Sequence, residues 1–186
     1  MRPQQICLFG LAVACAHASS ALIEYVWAPG LLYDDQLDIT WLADADPGGV
    51  MNWFDAHAYA DTFYAEIGIA IYDQWRLPLV WSFDTGPGVV NGEMGHLFTD
   101  YGITSDAPGP FVNLINEDYW YDQEFDADNG LNFSFDPMFL GTYWNDKNST
   151  QFGPRVMLVF DGAPYPAPGV LMITAFGGLL TLGRRR

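Results

Sequence analysis

Asp73-Gln74-Trp75-Arg76-Leu77-Pro78 sets the reading of everything around it. The Trp75 ring is large and apolar and packs inward. Arg76 is one of three basic residues between Glu24 and Asp161, a span that holds all 23 acids of the chain. Its guanidinium therefore has a wide choice of partners, and a planar fork pairs best with a carboxylate in bidentate fashion. Pro78 holds Leu77 in extended backbone.

Upstream of this stretch, Leu31 to Leu42 opens the folded part. Asp34, Asp35 and Asp38 mark a turn before the strand-forming Ile39-Thr40-Trp41-Leu42. Asp44 to Gly49 reads as a loop. A helix is expected from Trp53 to Ile67, with Asn52 as N-cap and Asp55 three residues on. Its buried stripe would be Trp53, Ala56, Ala60, Phe63, Tyr64 and Ile67, and Gly68 would stop it. Downstream, residues 86–88 mark a loop, and Glu93 to Tyr101 forms a second helix with Met94, Leu97, Phe98 and Tyr101 on one side. Short strands follow around Asp118-Tyr119-Trp120-Tyr121, Leu131 to Phe135 and Val156 to Phe160. The sum is an α+β domain with two helices.

The chain has 186 residues, half of them hydrophobic, enough for one domain with a real core. Between Glu24 and Asp161, three basic residues face 23 acids, a net of −20. A field of that sign repels nucleic-acid phosphates and anionic lipid headgroups, so nucleic acid is excluded as a partner.

Both ends read as addresses. Arg2, the apolar run Ile6 to Ala16 and the small residues to Ala21 form a secretory signal peptide, placed at 1–21. It contains Cys7 and Cys15, the only cysteines, so the exported chain has neither a disulfide nor a thiolate site. Residues 164–186 combine Pro164-Tyr165-Pro166, an apolar stretch from Gly169 to Gly183, and Arg184, Arg185 and Arg186. Fifteen helical residues reach about 22 Å, a short transmembrane helix. The arginines favour the cytoplasmic side and leave the acidic body outside.

This tail resembles the PEP-CTERM sorting signal of Gram-negative bacteria, with Tyr165 where that family usually has glutamate. The resemblance implies export, transient residence in the inner membrane through the C-terminal helix, removal of the tail by an exosortase-type protease, and delivery to the outer envelope or extracellular matrix. Residues 22–163 are similar to the Lcl C-terminal-like domain. The likeness rests on Asp38 to Asp44 with Trp41, on Trp75-Arg76-Leu77-Pro78, on Met94-Gly95-His96-Leu97, and on Tyr119-Trp120. It implies a C-type-lectin-like fold, two helices flanking a twisted antiparallel sheet, and no enzymatic activity. Some relatives bind polysaccharide, although −20 on this body disfavours a sulfated glycan.

Candidate chemistry is sparse. His57 and Asp61 lie one helical turn apart but lack a third ligand for zinc. His96 reads as a packing or hydrogen-bonding residue. Nucleophile-elbow, P-loop and dinucleotide motifs are missing from the sequence. The alternating acids Asp122, Glu124, Asp126 and Asp128, followed by Asn129-Gly130, form a candidate calcium loop. Asp34, Asp35, Asp38, Asp44 and Asp46 form a second acidic cluster. Trp120, Tyr143 and Trp144 are candidates for stacking on sugar rings. The expectation is a non-enzymatic envelope or matrix protein associated with exopolysaccharide. Its alternative is a calcium-stabilised, lectin-like adhesin.

Overall fold

The computed structural model describes residues 21–165 apart from Ile69 and Phe152. The signal peptide up to Ser20, Pro166, the expected tail helix and Arg184 to Arg186 lie outside the described residues. Among the described residues, no helix is long and apolar enough to cross a membrane.

Short apolar runs, most of them buried on both sides, build the body. The order is β1 (Leu22–Glu24), β2 (Leu31–Asp34), β3 (Ile39–Leu42), α1 (Trp53–Thr62), β4 (Ala65–Ile67), β5 (Ala70–Tyr72), β6 (Gly86–Pro87), α2 (Gly92–Tyr101), β7 (Asp118–Glu124), β8 (Asn129–Ser134), β9 (Gly141–Asp146) and β10 (Val159–Asp161). Two antiparallel sheets of four strands, ordered β1-β2-β3-β10 and β6-β9-β8-β7, stand beside the hairpin β4-β5. The α+β class holds, with two principal sheets in place of the single sheet expected.

The segment from Arg155 to Asp161 joins the two sheets. Arg155 bonds along the edge of β7, donating its N–H to Asp118 O and accepting from Trp120 N. A few residues later the same segment becomes β10 and pairs with β3. Successive side chains along an extended chain point to opposite sides. Met157 and Val159 accordingly enter a core with Trp41, Met94, Leu97, Tyr119, Tyr121 and Phe133. Val156, Leu158 and Phe160 enter a second core with Leu31, Ala56, Ala60, Trp75, Leu77 and Trp120. Strand geometry is confined to the end of the apolar run expected to form it, because Val156 to Leu158 act as the crossover.

α1 is shorter than its sequence pattern predicts. Asn52 caps it as expected, accepting from Asp55 N. Phe63 already has extended backbone, however, and Thr62 bonds back to Ala58 O. Residues 65–67 are strand, and Gly68 (φ 64°) turns the β4-β5 hairpin instead of ending a helix. Tyr64 is exposed and leaves the expected stripe, in which Ala56 and Ala60 are buried. α2 follows its prediction and ends on left-handed Gly102.

Arg76 makes the bidentate pair anticipated from its isolation. Its Nη1 and Nη2 each donate to one oxygen of Glu93 at 2.8 Å, and Nη2 also reaches Asp161 at 2.6 Å. Glu93 Oε2 accepts from Leu79 N, while Glu93 N donates to Leu79 O. This close approach of α2 to residues 79–80 requires Gly92 (φ 78°), where a Cβ would lie 2.6 Å from Leu79 O. Trp41, Trp75, Leu77, Met94, Leu97 and Trp120 are buried, and Gly95 lets Val90 approach closely. Pro78 O accepts from Asp122 N, which ties the segment after Arg76 to β7.

Candidate functional site

The acids proposed as a calcium loop do not converge on one point. Asp122 faces His57 Nδ1 at 3.4 Å. Asp126 spends its carboxylate on the hairpin turn, accepting from Asp128 N, Asn129 N and Asn129 Nδ2. The positive charge in this turn is Lys147. Its Nζ donates to Asp126 O at 2.7 Å and Ala127 O at 2.9 Å, and sits 3.2 Å from Glu124 Oε2. Among the described residues no three His, Cys, Asp or Glu side chains are placed to hold one ion. The structure does not bring Asp122, Glu124, Asp126 and Asp128, the residues expected to hold calcium, to one point, and the Lys147 ammonium sits in the turn they flank. The second acidic cluster is dispersed as well. Asp34 accepts from Tyr101 OH, Gln36 N and Leu37 N, Asp44 from Asn113, and Asp46 pairs with Arg155 at 2.5 Å.

His57 pairs with Asp122 and packs on Trp53, rather than meeting Asp61. His96 is buried with Nδ1 2.8 Å from Asp100 and the Tyr101 ring edge-on to it, as a packing and hydrogen-bonding residue. Pro164 is buried. Tyr165 lies on the Tyr72 ring, donates to Ile71 O and accepts from Tyr72 OH.

The three sugar-stacking candidates separate. Trp120 is fully buried, as are Tyr119 and Tyr121 on either side of it, which corrects its assignment as a glycan platform. Trp144 is half-exposed and lies parallel to Phe125, centroids 5.9 Å apart. Tyr143, the neighbour of Trp144 in β9, projects from the opposite face of the sheet and lines a cleft of about 290 Å³.

This cleft is the strongest candidate site. Asp118 opens β7 and Ser134 closes β8, and the register sets the two directly opposite each other. Asn116 and Glu117 precede β7, while Asp136 and Phe139 come from the β8-β9 connection. Asp136 orders that connection, accepting from Met138 N and, through its carbonyl, from Phe139 N. The lining is thus three carboxylates, one amide, one hydroxyl and two aromatic rings, with no basic residue. Burial pushes the Asp118 carboxyl above the usual carboxylate range; the Ser134 hydroxyl opposes this, and the charges of Glu117 and Asp136 reinforce it. The Tyr143 phenol is raised by burial and then by Asp118 and Asp136. Carboxylates accept hydrogen bonds from hydroxyls, and the rings offer faces to C–H groups, a combination suited to a polyhydroxylated ligand.

An ionised Asp118 costs stability at neutral pH, because its folded-state value lies above that of the unfolded chain. The cost fades as pH falls through the folded-state value, and below about 3.9 both states are protonated. Asp118→Asn is therefore expected to raise Tm at about pH 7 and to leave it unchanged at about pH 3. Thermal unfolding at the two pH values checks this. A Tm loss at pH 7 would show that the ionised carboxylate is a net structural asset.

Sequence reasoning missed Asn116, Glu117, Asp118, Ser134, Asp136 and Phe139 as a group. The signal that could have found them is hairpin arithmetic. A turn near Asp126 to Asn129 carries Asp118 back onto residues near 134, so that the acids flanking two aromatic strands meet. No protein-family model matches the chain, and neither a curated protein nor a solved structure does.

Proposed function

We propose that this chain is an exported, non-enzymatic envelope or matrix module that holds a glycan in the Asp118–Tyr143 cleft. The observation that carries the reading is the co-location of the Tyr143 and Phe139 rings with Asn116, Ser134 and three carboxylates around one opening. Its volume lies at the lower end of the roughly 300–1,000 Å³ typical of ligand pockets, suited to a short stretch of a chain. Export rests on the three-part N-terminal segment, and sorting on Pro164-Tyr165-Pro166 with the apolar stretch and terminal arginines. A C-type-lectin-like body of the Lcl C-terminal kind is supported by two helices, antiparallel sheets and the buried Trp75 to Pro78 segment.

The test is binding of the purified protein to a panel of soluble oligosaccharides. Tyr143→Ala is expected to weaken the bound member by about tenfold or more, the equivalent of roughly 1.4 kcal/mol. Trp144→Ala, on the other face of the sheet, should leave affinity unchanged. Equal affinity in wild type and Tyr143→Ala would remove the cleft as the site. A hydrolase is the second reading, favoured by a carboxyl with a raised pKa beside two other acids. Release of reducing ends from the bound oligosaccharide, lost in Asp118→Asn, would establish it.

A further inference from the structure

The last described residues are fastened to the body one after another. Gly162 N donates to Asp38 O, and Gly162 O accepts from Thr40 Oγ1 at 2.7 Å. Pro164 is buried. Tyr165 then lays its ring on Tyr72, centroids 4.8 Å apart, and its hydroxyl donates to Ile71 O. In return the Tyr72 hydroxyl donates to Tyr165 O at 2.8 Å. The bonded residues are 93 and 94 apart in sequence, so no local turn brings them together.

The receiving surface is held in place by other contacts. Tyr72 is 3% exposed, its ring stacks on Phe160, and its carbonyl accepts from Trp75 Nε1. Thr40, which holds Gly162, is fully buried. The surface therefore presents a fixed ring, a fixed donor and a fixed acceptor to the residue after Pro164. Tyrosine supplies the matching ring and a hydroxyl donor. A carboxylate at 165 accepts but cannot donate, and it would stand at a cleft that Asp73 and Asp161 already line.

We infer that residues 162–165 are a clasp that sets where the tail can be cut from the body: beyond Tyr165, whichever protease makes the cut. A protease draws an extended stretch of chain into its cleft and polarises the scissile carbonyl with donors of its own. At the Pro164–Tyr165 bond the first residue is buried and the second is docked. At Tyr165–Pro166 the scissile carbonyl already accepts from Tyr72. Pro166–Ala167 is the first peptide bond that none of these contacts involves. A cut nearer the body waits for the clasp to open, so its rate follows the open fraction. Tyr165, by which the tail departs from the sorting signal it resembles, thus belongs to the body. The clasp is independent of the glycan reading, and it limits tail removal by any protease without requiring that sorting occur.

The experiment is digestion of the full-length protein with a proline-specific endoprotease, with the C-terminal end of the product read by intact mass. Pro164, Pro166 and Pro168 give the enzyme three bonds of the same kind. Wild type is expected to be cut after Pro166 or Pro168. It should keep Pro164–Tyr165 intact at least about tenfold longer than a free peptide of residues 160–170 does. Tyr72→Phe leaves the sequence around that bond unchanged and removes one donor, so it should speed the cut after Pro164 by about fivefold. Tyr165→Glu removes the ring and the hydroxyl, and should bring that cut to within about threefold of a free peptide with the same substitution. A wild-type protein cut after Pro164 as fast as the peptide would overturn the clasp. Protection that survives both substitutions would overturn it too, since something other than Tyr165 would then shield the bond.

Discussion

Arg76→Ala is expected to lower the unfolding free energy by about 3–5 kcal/mol, read from urea denaturation of wild type and variant. The loss comes less from the pair itself than from what remains behind. Glu93 is 5% exposed, and without Arg76 its carboxylate keeps only the Leu79 N–H as a partner. Burial works against the Arg76 charge, yet Glu93 and Asp161 together hold the guanidinium well above its ordinary pKa. Asp161 is largely exposed and adds little by itself. Arg76→Lys should recover only part of the loss, since an ammonium cannot repeat two parallel bonds to one carboxylate. Replacing Arg76 and Glu93 together by leucine or methionine should cost less than Arg76→Ala, because no orphaned charge remains. A loss under about 1 kcal/mol in the single variant would mean that water reaches Glu93 once the arginine is gone.

Trp120→Ala should cost a similar amount, about 3–5 kcal/mol, for a different reason. Trp120 is fully buried among Ala56, Ala60, Trp75 and Leu158, and its Nε1 donates to Met51 O at 2.9 Å. Truncation opens a cavity where β7 meets α1 and leaves a carbonyl short of a donor. Denaturant midpoints with an unchanged m-value are the measurement. Unchanged stability with weakened glycan binding would restore Trp120 to the surface role that its sequence context first implied.

Trp120 shows where local reading stops. Tyr119-Trp120-Tyr121 lies in loop-rich, acidic sequence, and flat aromatic residues there read equally as core or as sugar platform. What buries Trp120 is the chain from Met51 to Ala60 on one side and Val156 to Phe160 on the other, contacts that no short window contains. Arg76 was legible for the opposite reason. With so few cations in the span, its pairing followed from charge scarcity alone, although the choice of Glu93 did not. α2 was legible because Met94, Leu97, Phe98 and Tyr101 recur at helical spacing. The expected α1 runs too far because Phe63, Tyr64 and Ile67 continue a helical spacing, while Gly68 and the alternating burial of Ala65–Ile67 and of Ala70–Tyr72 serve a hairpin. The cleft was not legible as a unit: its acids are separated by the whole β7-β8 hairpin, and only register brings them together.

The Lys147 ammonium in the β7-β8 turn has a consequence for where this protein can work. A diffusible ion stabilises a fold only to the extent of its supply, through a mass-action factor that vanishes on dilution or chelation. Lys147 is part of the chain, 2% exposed and bonded to Asp126 O and Ala127 O, so its occupancy of the turn is set by connectivity and carries no concentration term. The turn is therefore expected to keep its shape in hard water, in soft water and beside polymers that sequester divalent ions, which amide exchange of Asp128 and Asn129 with and without a chelator checks.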